Sequence, residues 1–441
     1  MDQLESLTVE TSTKLKEYKS FADFNLSEGL LRGLYYSGYH NPSHIQKIAI
    51  APIIAGNDII VQAQSGSGKT ATFAISVLQS IDKSSDALQA IVISPTRELA
   101  TQIHSVFINL SNELDIRCFS AYGGRSDLMT NLKKLKKAPH VLIGTPGRIL
   151  DILRKNHLSI TQFRVLVTDE ADEMINKGLK EQFVSIYKFL TANRREEDKI
   201  QMVVVSATMT KSCLEFIQAI TNDPIKILVP KDEVNITNIL QTYIDVGEDQ
   251  WKFEVLLDIF NCISVPQTVV FSASKDKVIW LSGKLKKQGF PVASVHGDLS
   301  QDEREKVMIN FRAGQIRHLI TTDIWARGID VYTVALVINY DMPATTSTYV
   351  HRIGRSGRFG RKGVAISLLC GKSERLVMEK MAKDFKIVIR PAPNPLDSLV
   401  TFLRGVEKND NSKQAVEKTN LKRKPEKGKC AKDRKRNKNE I

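Results

Sequence analysis

Residues 58–70, DIIVQAQSGSGKT, decide the fold. DIIVQ is a short β-branched run bounded by Asp58 and small residues, the signature of a strand. SGSG supplies turn residues, and KTATFAISVLQ opens a run with helical periodicity. Strand, glycine-rich turn and helix in that order form the context a phosphate-binding loop requires. The backbone N–H groups of Ala63, Gln64, Ser65, Gly66, Ser67 and Gly68 would cradle phosphates, Lys69 would reach the β and γ oxygens, and Thr70 would ligate Mg²⁺. Ala63 stands where the GxxxxGK[ST] pattern has its first glycine. The alternative is an ordinary tight turn before a helix.

The same strand–loop–helix unit recurs after this stretch. QAIVISPT (89–96), HVLIGTP (140–146), FRVLVTDE (163–170) and MVVVSAT (202–208) are continuous apolar runs, each leading to a loop and a helical pattern. Such runs indicate strands buried on both faces, hence an α/β fold with a parallel sheet. A polar segment at 230–239 reads as a linker. The pattern then restarts with PQTVVFSAS, FPVASVHGD, IRHLITTD, VALVINYD and GVAISLL, between residues 266 and 369. The expected organisation is an N-terminal extension (1–20), a first domain (21–229), the linker (230–239), a second domain (240–405) and a tail (406–441).

Composition narrows the class. The 441 residues are 42% hydrophobic and 25% charged, enough for two cores. Cys118, Cys213, Cys262, Cys370 and Cys430 form no CxxC pair, which argues against a disulfide framework or zinc site. No run of about 18 uninterrupted apolar residues occurs, so no membrane segment is expected. The net charge is +14, and residues 412–441 hold twelve Lys/Arg against four Asp/Glu. This favours a polyanionic partner and a tail disordered when free. The tail reads as a nuclear-localisation signal, an RNA-tethering arm or a solubilising segment.

VLVTDEADEMI (165–175) ends an apolar strand in three carboxylates. Alone it fits a solvated acidic turn with a capping aspartate. With a nucleotide at Lys69, Asp169 would hold Mg²⁺ and Glu170 would orient and deprotonate the attacking water. Asp172, three residues beyond Asp169, would point to a similar side and pair with an arginine or with Ser/Thr hydroxyls.

DEAD at 169–172, AQSGSGKT at 63–70 and SAT at 206–208 together resemble the DEAD-box ATP-dependent RNA helicases, whose other motifs follow in order from residue 21 to about 370. The resemblance implies two RecA-like parallel-sheet domains in tandem, with ATP and Mg²⁺ as cofactors. PTRELA (95–100), GG (123–124) and TPGR (145–148) resemble the first domain's RNA-contacting loops, implying RNA contacts from Pro95, Thr96, Arg97, Gly123, Gly124, Thr145, Gly147 and Arg148. GYHNPSHIQ (38–46) resembles the adenine-reading segment, with Gln46 as reader. Phe21 is either a stacking face or a core aromatic. Ser206 and Thr208 would couple to the acidic loop. In HRIGRSGRFG (351–360), Arg352 and Arg355 would act as arginine fingers while Arg358 links to the acidic loop. In TTDIWARGID (321–330), Asp330 would accept from the ribose, and Thr321 and Thr322 would contact RNA.

Within the family, SGYHNPSHIQ, WKFEVLLDIF and VHRIGRSGRFGRKG are most similar to translation initiation factor 4A and its nuclear exon-junction-type relative. The activity implied is RNA-coupled hydrolysis of ATP to ADP and phosphate with local duplex unwinding, in translation initiation or nuclear RNA processing. An ATP-gated RNA clamp held by partner proteins is the alternative. The expected partners are RNA read with little sequence preference and helical-repeat or scaffold regulators. The expected state is an intracellular monomer, nuclear by its basic tail or else cytoplasmic.

Overall fold

The computed structural model describes residues 10–11, 15–63, 66–121, 138–155, 158–176, 178–192, 194, 198–228, 238–325, 331, 333–357, 361–384 and 387–403. Gln64, Ser65, Gly123, Gly124, Asp330, Arg358, the tail and nearly all of the expected linker lie outside these residues.

Two sheets organise the described chain. The first contains β1 (Glu10–Thr11), β2 (Ile59–Gln62), β3 (Ala90–Ile93), β4 (Cys118–Ala121), β5 (Val141–Gly144), β6 (Val165–Thr168), β7 (Gln201–Ser206) and β8 (Ile225–Leu228). Their spatial order is β1-β8-β2-β7-β6-β3-β5-β4. Every pairing is parallel except the two-residue β1, which runs antiparallel to β8. The second sheet contains β9 (Ile239–Gly247), β10 (Gln267–Phe271), β11 (Val292–Val295), β12 (His318–Thr321), β13 (Val334–Asn339), β14 (Gly363–Cys370) and β15 (Arg390–Pro391). It is wholly parallel, in the order β11-β12-β10-β13-β14-β9-β15.

Period-two geometry explains why the central strands lack polar alternation. In β2, Ile59 and Val61 join one core while Ile60 joins the core on the opposite face; in β3, Ala90 and Val92 face one side, Ile91 and Ile93 the other. Helices cover both faces, so each strand position meets apolar neighbours. The second sheet repeats the arrangement, with Val270 in one cluster and Val269 and Phe271 in the other.

Five strands differ from expectation. β4 and β8 are mostly half-buried edge or near-edge strands, and β1 and β15 have two residues each. β9 begins at Ile239, paired with Gly363, so the second domain starts inside the segment read as linker. Its mixture of polar and apolar residues reflects its place near the sheet edge, where burial is partial.

One core histidine couples the second domain to pH. His318 stacks on Phe260 with ring centroids 4.1 Å apart, and its buried Nδ1 has no partner. Burial, helped by nearby Arg317, pushes its pKa down to about 4. Above the unfolded-state value of about 6.5 the imidazole is neutral in both states and costs nothing. Below it the unfolded chain takes up a proton that the fold refuses, so stability falls until the pH reaches about 4. His318→Phe, which retains the stacked ring, is expected to lose less stability than the parent between pH 7 and pH 5. Urea unfolding midpoints at both pH values check this.

Candidate active site at the strand ends

Strand order assembles the site. β7 lies between β2 and β6, so the glycine-rich loop after β2, SAT after β7 and DEAD after β6 emerge side by side. The first contact is direct, because Ala63 N–H donates to the Ser206 carbonyl at 3.1 Å. Within the loop, Gly66 and Gly68 take φ of 81° and 91°. Those are left-handed positions where glycine is at ease. Ala63 is not among the positive-φ residues, which explains why alanine serves in the pattern's first position.

The segment containing Ser43 and Gln46 braces this loop. Ser43 and Gln46 form a capping box: Ser43 N–H donates to Gln46 Oε1 at 2.7 Å, and Ser43 Oγ accepts from Gln46 N–H at 3.4 Å. Ser43 Oγ also donates to the Ser67 carbonyl at 2.7 Å, and Gln46 Nε2 to the Gly68 carbonyl at 3.3 Å. The Gln46 amide thus supports the loop, keeping one N–H and one lone pair for a further partner. Lys69 is buried and donates to the Ala63 carbonyl at 2.6 Å, while Thr70 is half-buried in the first turn of the helix Lys69–Ser80. Phe21 is fully buried in the first core beside Phe24, so it is a core aromatic rather than an open stacking face.

The three DEAD carboxylates have different hydrogen-bond partners, although Glu170 and Asp172 each offer an oxygen within 4.8 Å of the other and of a His351 ring nitrogen. Asp169 Oδ1 accepts from Glu170 N–H at 2.9 Å, and Asp169 N–H donates to the Ile93 carbonyl at 3.0 Å. Burial, with the adjacent Glu170 charge, raises the Asp169 pKa to about 7; Lys69 opposes this only in part. A buried carboxylate so short of positive charge supplies the hard oxygen donor that Mg²⁺ takes, and the Thr70 hydroxyl is a second oxygen of that kind. Glu170 is buried with φ of 50°, a conformation uncommon outside glycine and asparagine and held here by the loop.

Asp172 is 1% exposed and spans both domains. Its Oδ1 accepts from Ser206 Oγ at 2.7 Å, and its Oδ2 from Thr208 Oγ1 at 2.7 Å. From the second domain, Ser347 Oγ donates to Oδ2 at 3.1 Å and His351 Nε2 stands 3.5 Å from it. On the helix that carries His351, Arg352 turns inward. Its guanidinium donates to Asp323 at 2.5 Å, to Asn339 Oδ1 at 3.3 Å and to the Asp341 carbonyl at 2.7 Å, and it packs on Phe271. The expected finger role of Arg352 is therefore corrected, because its donors are held inside the second domain. Arg355 is buried and anchored through Nε to the His351 carbonyl at 3.0 Å.

A second convergence follows from β3 lying between β6 and β5. Pro95, Arg97, Thr145, Gly147 and Arg148 line one groove, where the helices Arg97–Leu110 and Pro146–Arg154 begin. Thr96 caps the first of these, its hydroxyl accepting from Leu99 N–H at 3.3 Å. Two helix N-termini and two guanidinium groups suit phosphate oxygens. Glu98, on the first of these helices, pairs at 3.0 Å with Arg304 of the second domain. At the end of β12, Thr321 is fully buried and its hydroxyl turns to the Thr322 carbonyl, so Thr321 is corrected to a structural residue. Thr322 keeps exposed surface.

Residues 43–216 match the DEAD/DEAH box helicase family and residues 251–360 the helicase conserved C-terminal domain. The ATP-dependent RNA helicase FAL1 of Kluyveromyces lactis is 47% identical over 400 residues, covering 90% of this chain and 98% of that protein. The chain belongs to the DEAD-box family of ATP-dependent RNA helicases. The ATP-dependent RNA helicase fal1 of Schizosaccharomyces pombe is 44% identical over 90% of this chain and 99% of its own length. Among solved structures, Saccharomyces cerevisiae Dbp5 bound to RNA and ADP BeF3 matches with a TM-score of 0.81 at 33% identity, over 89% of this chain and 100% of that one. This DEAD-box chain is thus an RNA-stimulated ATPase built on two RecA-like domains.

The helicase site also includes residues that the sequence reading did not assign. Ser43 was legible as the first residue of an S-x-x-Q capping box. His351 lies inside a quoted motif, but its approach to Asp172 comes only from folding, as does the Glu98–Arg304 pair. Ser347 carries no local signal. Gly68→Ala would place a Cβ 2.7 Å from Gln46 Nε2 at a left-handed φ. Strain of about 1–3 kcal/mol is expected there, so affinity for a fluorescent ATP analogue should fall tenfold or more while Gly56→Ala, whose added Cβ meets nothing within 4 Å, leaves it unchanged.

Proposed function

We propose that the helicase hydrolyses ATP in the cleft between its two domains and grips RNA along the first-domain groove at the starts of the helices Arg97–Leu110 and Pro146–Arg154. The Asp172 cradle carries this reading, since one carboxylate beside the nucleotide loop receives hydroxyls from both domains. In this scheme the backbone of residues 63–68 and Lys69 hold the phosphates, and Gln46 addresses the adenine. Thr70 and Asp169 would hold Mg²⁺, which when bound offsets phosphate charge. Glu170 orients and deprotonates the attacking water, and Asp172 with Ser206 and Thr208 relays the closed state. Arg355 of the second domain faces the charge that develops on the γ-phosphate, a contribution of about 10³ to 10⁵ in rate. Arg358 and Asp330 keep the roles implied by their motifs, the link to the acidic loop and the ribose contact.

On the RNA side, Thr96, Arg97, Thr145, Gly147, Arg148 and Thr322 address phosphate and sugar, giving little sequence preference. The domains proposed are 21–229 and 240–405, adjusted to begin at Ile239 in the second. We assign the chain to nuclear RNA processing under the control of protein regulators. The dense basic tail supports the nuclear assignment. Dbp5, described in complex with Nup159 and Gle1 and 31% identical to this chain over 86% of its length, supports the regulators.

Glu170→Gln should retain ATP binding and lose RNA-stimulated hydrolysis, whereas Lys69→Ala should lose binding itself. ATP-analogue affinity and phosphate release with single-stranded RNA, measured on both variants, separate the two roles. A Glu170→Gln protein that still hydrolyses ATP would refute the assignment. Deleting residues 412–441 should abolish nuclear accumulation of a fluorescent fusion; unchanged localisation counts against the nuclear assignment.

A further inference from the structure

The Asp172 cradle contains one group that no motif supplies. Thr345 caps the helix Thr346–Ile353, its hydroxyl accepting from Thr348 N–H at 3.2 Å. The capped first turn presents Ser347. Ser347 and His351 are four residues apart on that helix and therefore share a face, and both meet Asp172. Ser347 Oγ is also 2.8 Å from Thr208 Oγ1. These contacts join residues 139 and 175 positions apart in the chain.

Proton counting gives Ser347 a definite part. An ionised carboxylate only accepts, while each hydroxyl carries one proton. Thr208 donates to Asp172 Oδ2 at 2.7 Å. The Ser347 proton then goes either to Asp172 or to the Thr208 oxygen. In both arrangements Ser347 is a donor arriving from the second domain. If the domains separate, Ser206 and Thr208 still satisfy Asp172 from within the first domain, and water replaces Ser347. Its bond is thus made only when the domains are together, so it adds to closure and not to the fold of either half.

We propose that Ser347 is a positioning residue that couples ATP binding to RNA binding, by donating across the cleft to the Asp172–Thr208 pair in the closed enzyme. A bond to a charged acceptor made in one state alone appears as coupling free energy between the two ligands. Ser347 lies four residues before the arginine-rich motif and reaches the first domain at Asp172 and Thr208. The inference rests on the reading that ATP and RNA jointly close the cleft.

The test uses the full chain and compares affinity for a non-hydrolysable ATP analogue with and without single-stranded RNA. The unaltered protein should bind the analogue more tightly with RNA. Ser347→Ala should reduce that enhancement about tenfold, while RNA-free affinity and melting temperature stay unchanged. Ser347→Thr, which keeps the hydroxyl, should restore it. Thr208→Ala combined with Ser347→Ala should be less damaging than the sum of the two, since both remove one shared network. An enhancement unchanged in Ser347→Ala overturns the inference, as does an equal loss of RNA-free affinity, failure of Ser347→Thr to restore coupling, or strict additivity. If the unaltered chain shows no enhancement at all, the closure reading fails, and this inference falls with it.

Discussion

A buried carboxylate that belongs to one domain and is completed by the other is the constraint on which the enzyme depends. Asp172 is almost fully withdrawn from water, and a charge in that position is unfavourable by several kcal/mol unless hydrogen-bonded. Ser206 and Thr208 meet this requirement inside the first domain; Ser347 and His351 add to it from the second. Because Asp172 lies two residues beyond Glu170, whatever positions the second domain bears on the group proposed to handle the attacking water. Arg355, hung from the carbonyl of His351, comes with the same helix. Hydrolysis and domain position therefore share one set of bonds.

Strand order makes this arrangement possible. With β7 between β2 and β6, a phosphate loop, two hydroxyls and three carboxylates meet although they are spread from residue 63 to residue 208. With β3 between β6 and β5, two phosphate-suited helix N-termini share a second groove on the same edge of the sheet. The Asp169 N–H bonded to the Ile93 carbonyl at the end of β3 joins the two sites. The Glu98–Arg304 pair then gives the side proposed for RNA its own bridge between domains. The grooves proposed for ATP and for RNA differ, yet the first borders the Asp172 contacts and the second the Glu98–Arg304 pair, both of which join the two domains.

Much of this was legible in the sequence. Central parallel strands are apolar at every position because both faces are covered, so Ile59–Gln62, Ala90–Ile93 and Val165–Thr168 stood out, whereas half-exposed Cys118–Ala121 and Ile225–Leu228 did not. Lys69, Thr70 and the DEAD carboxylates were legible because a local loop must carry several specialised residues at fixed spacing. Pairings between distant segments were not. Arg352 and Arg355 read alike as exposed-looking cations in one motif, and only the fold turns Arg352 onto Asp323, Asn339 and Asp341. Thr321 and Phe21 were misread for the same reason: their types permit contact with a ligand, but burial removes them from reach. Ser347 is an unremarkable hydroxyl in a run of four until Asp172 is placed beside it.

In the proposed mechanism, closure of the two domains depends on the acceptor character of Asp172. Asp172→Asn keeps the shape of the side chain but turns one acceptor oxygen into a donor. The direct measurement is single-molecule energy transfer between dyes on the two domains, in the unaltered chain and in Asp172→Asn, with ATP analogue, RNA or both. A high-transfer closed state is expected in the unaltered chain only when both ligands are present, with a marked loss of that state in Asp172→Asn although each ligand still binds alone. Equal closure in Asp172→Asn, or full closure of the unaltered chain with ATP analogue alone, would contradict this mechanism.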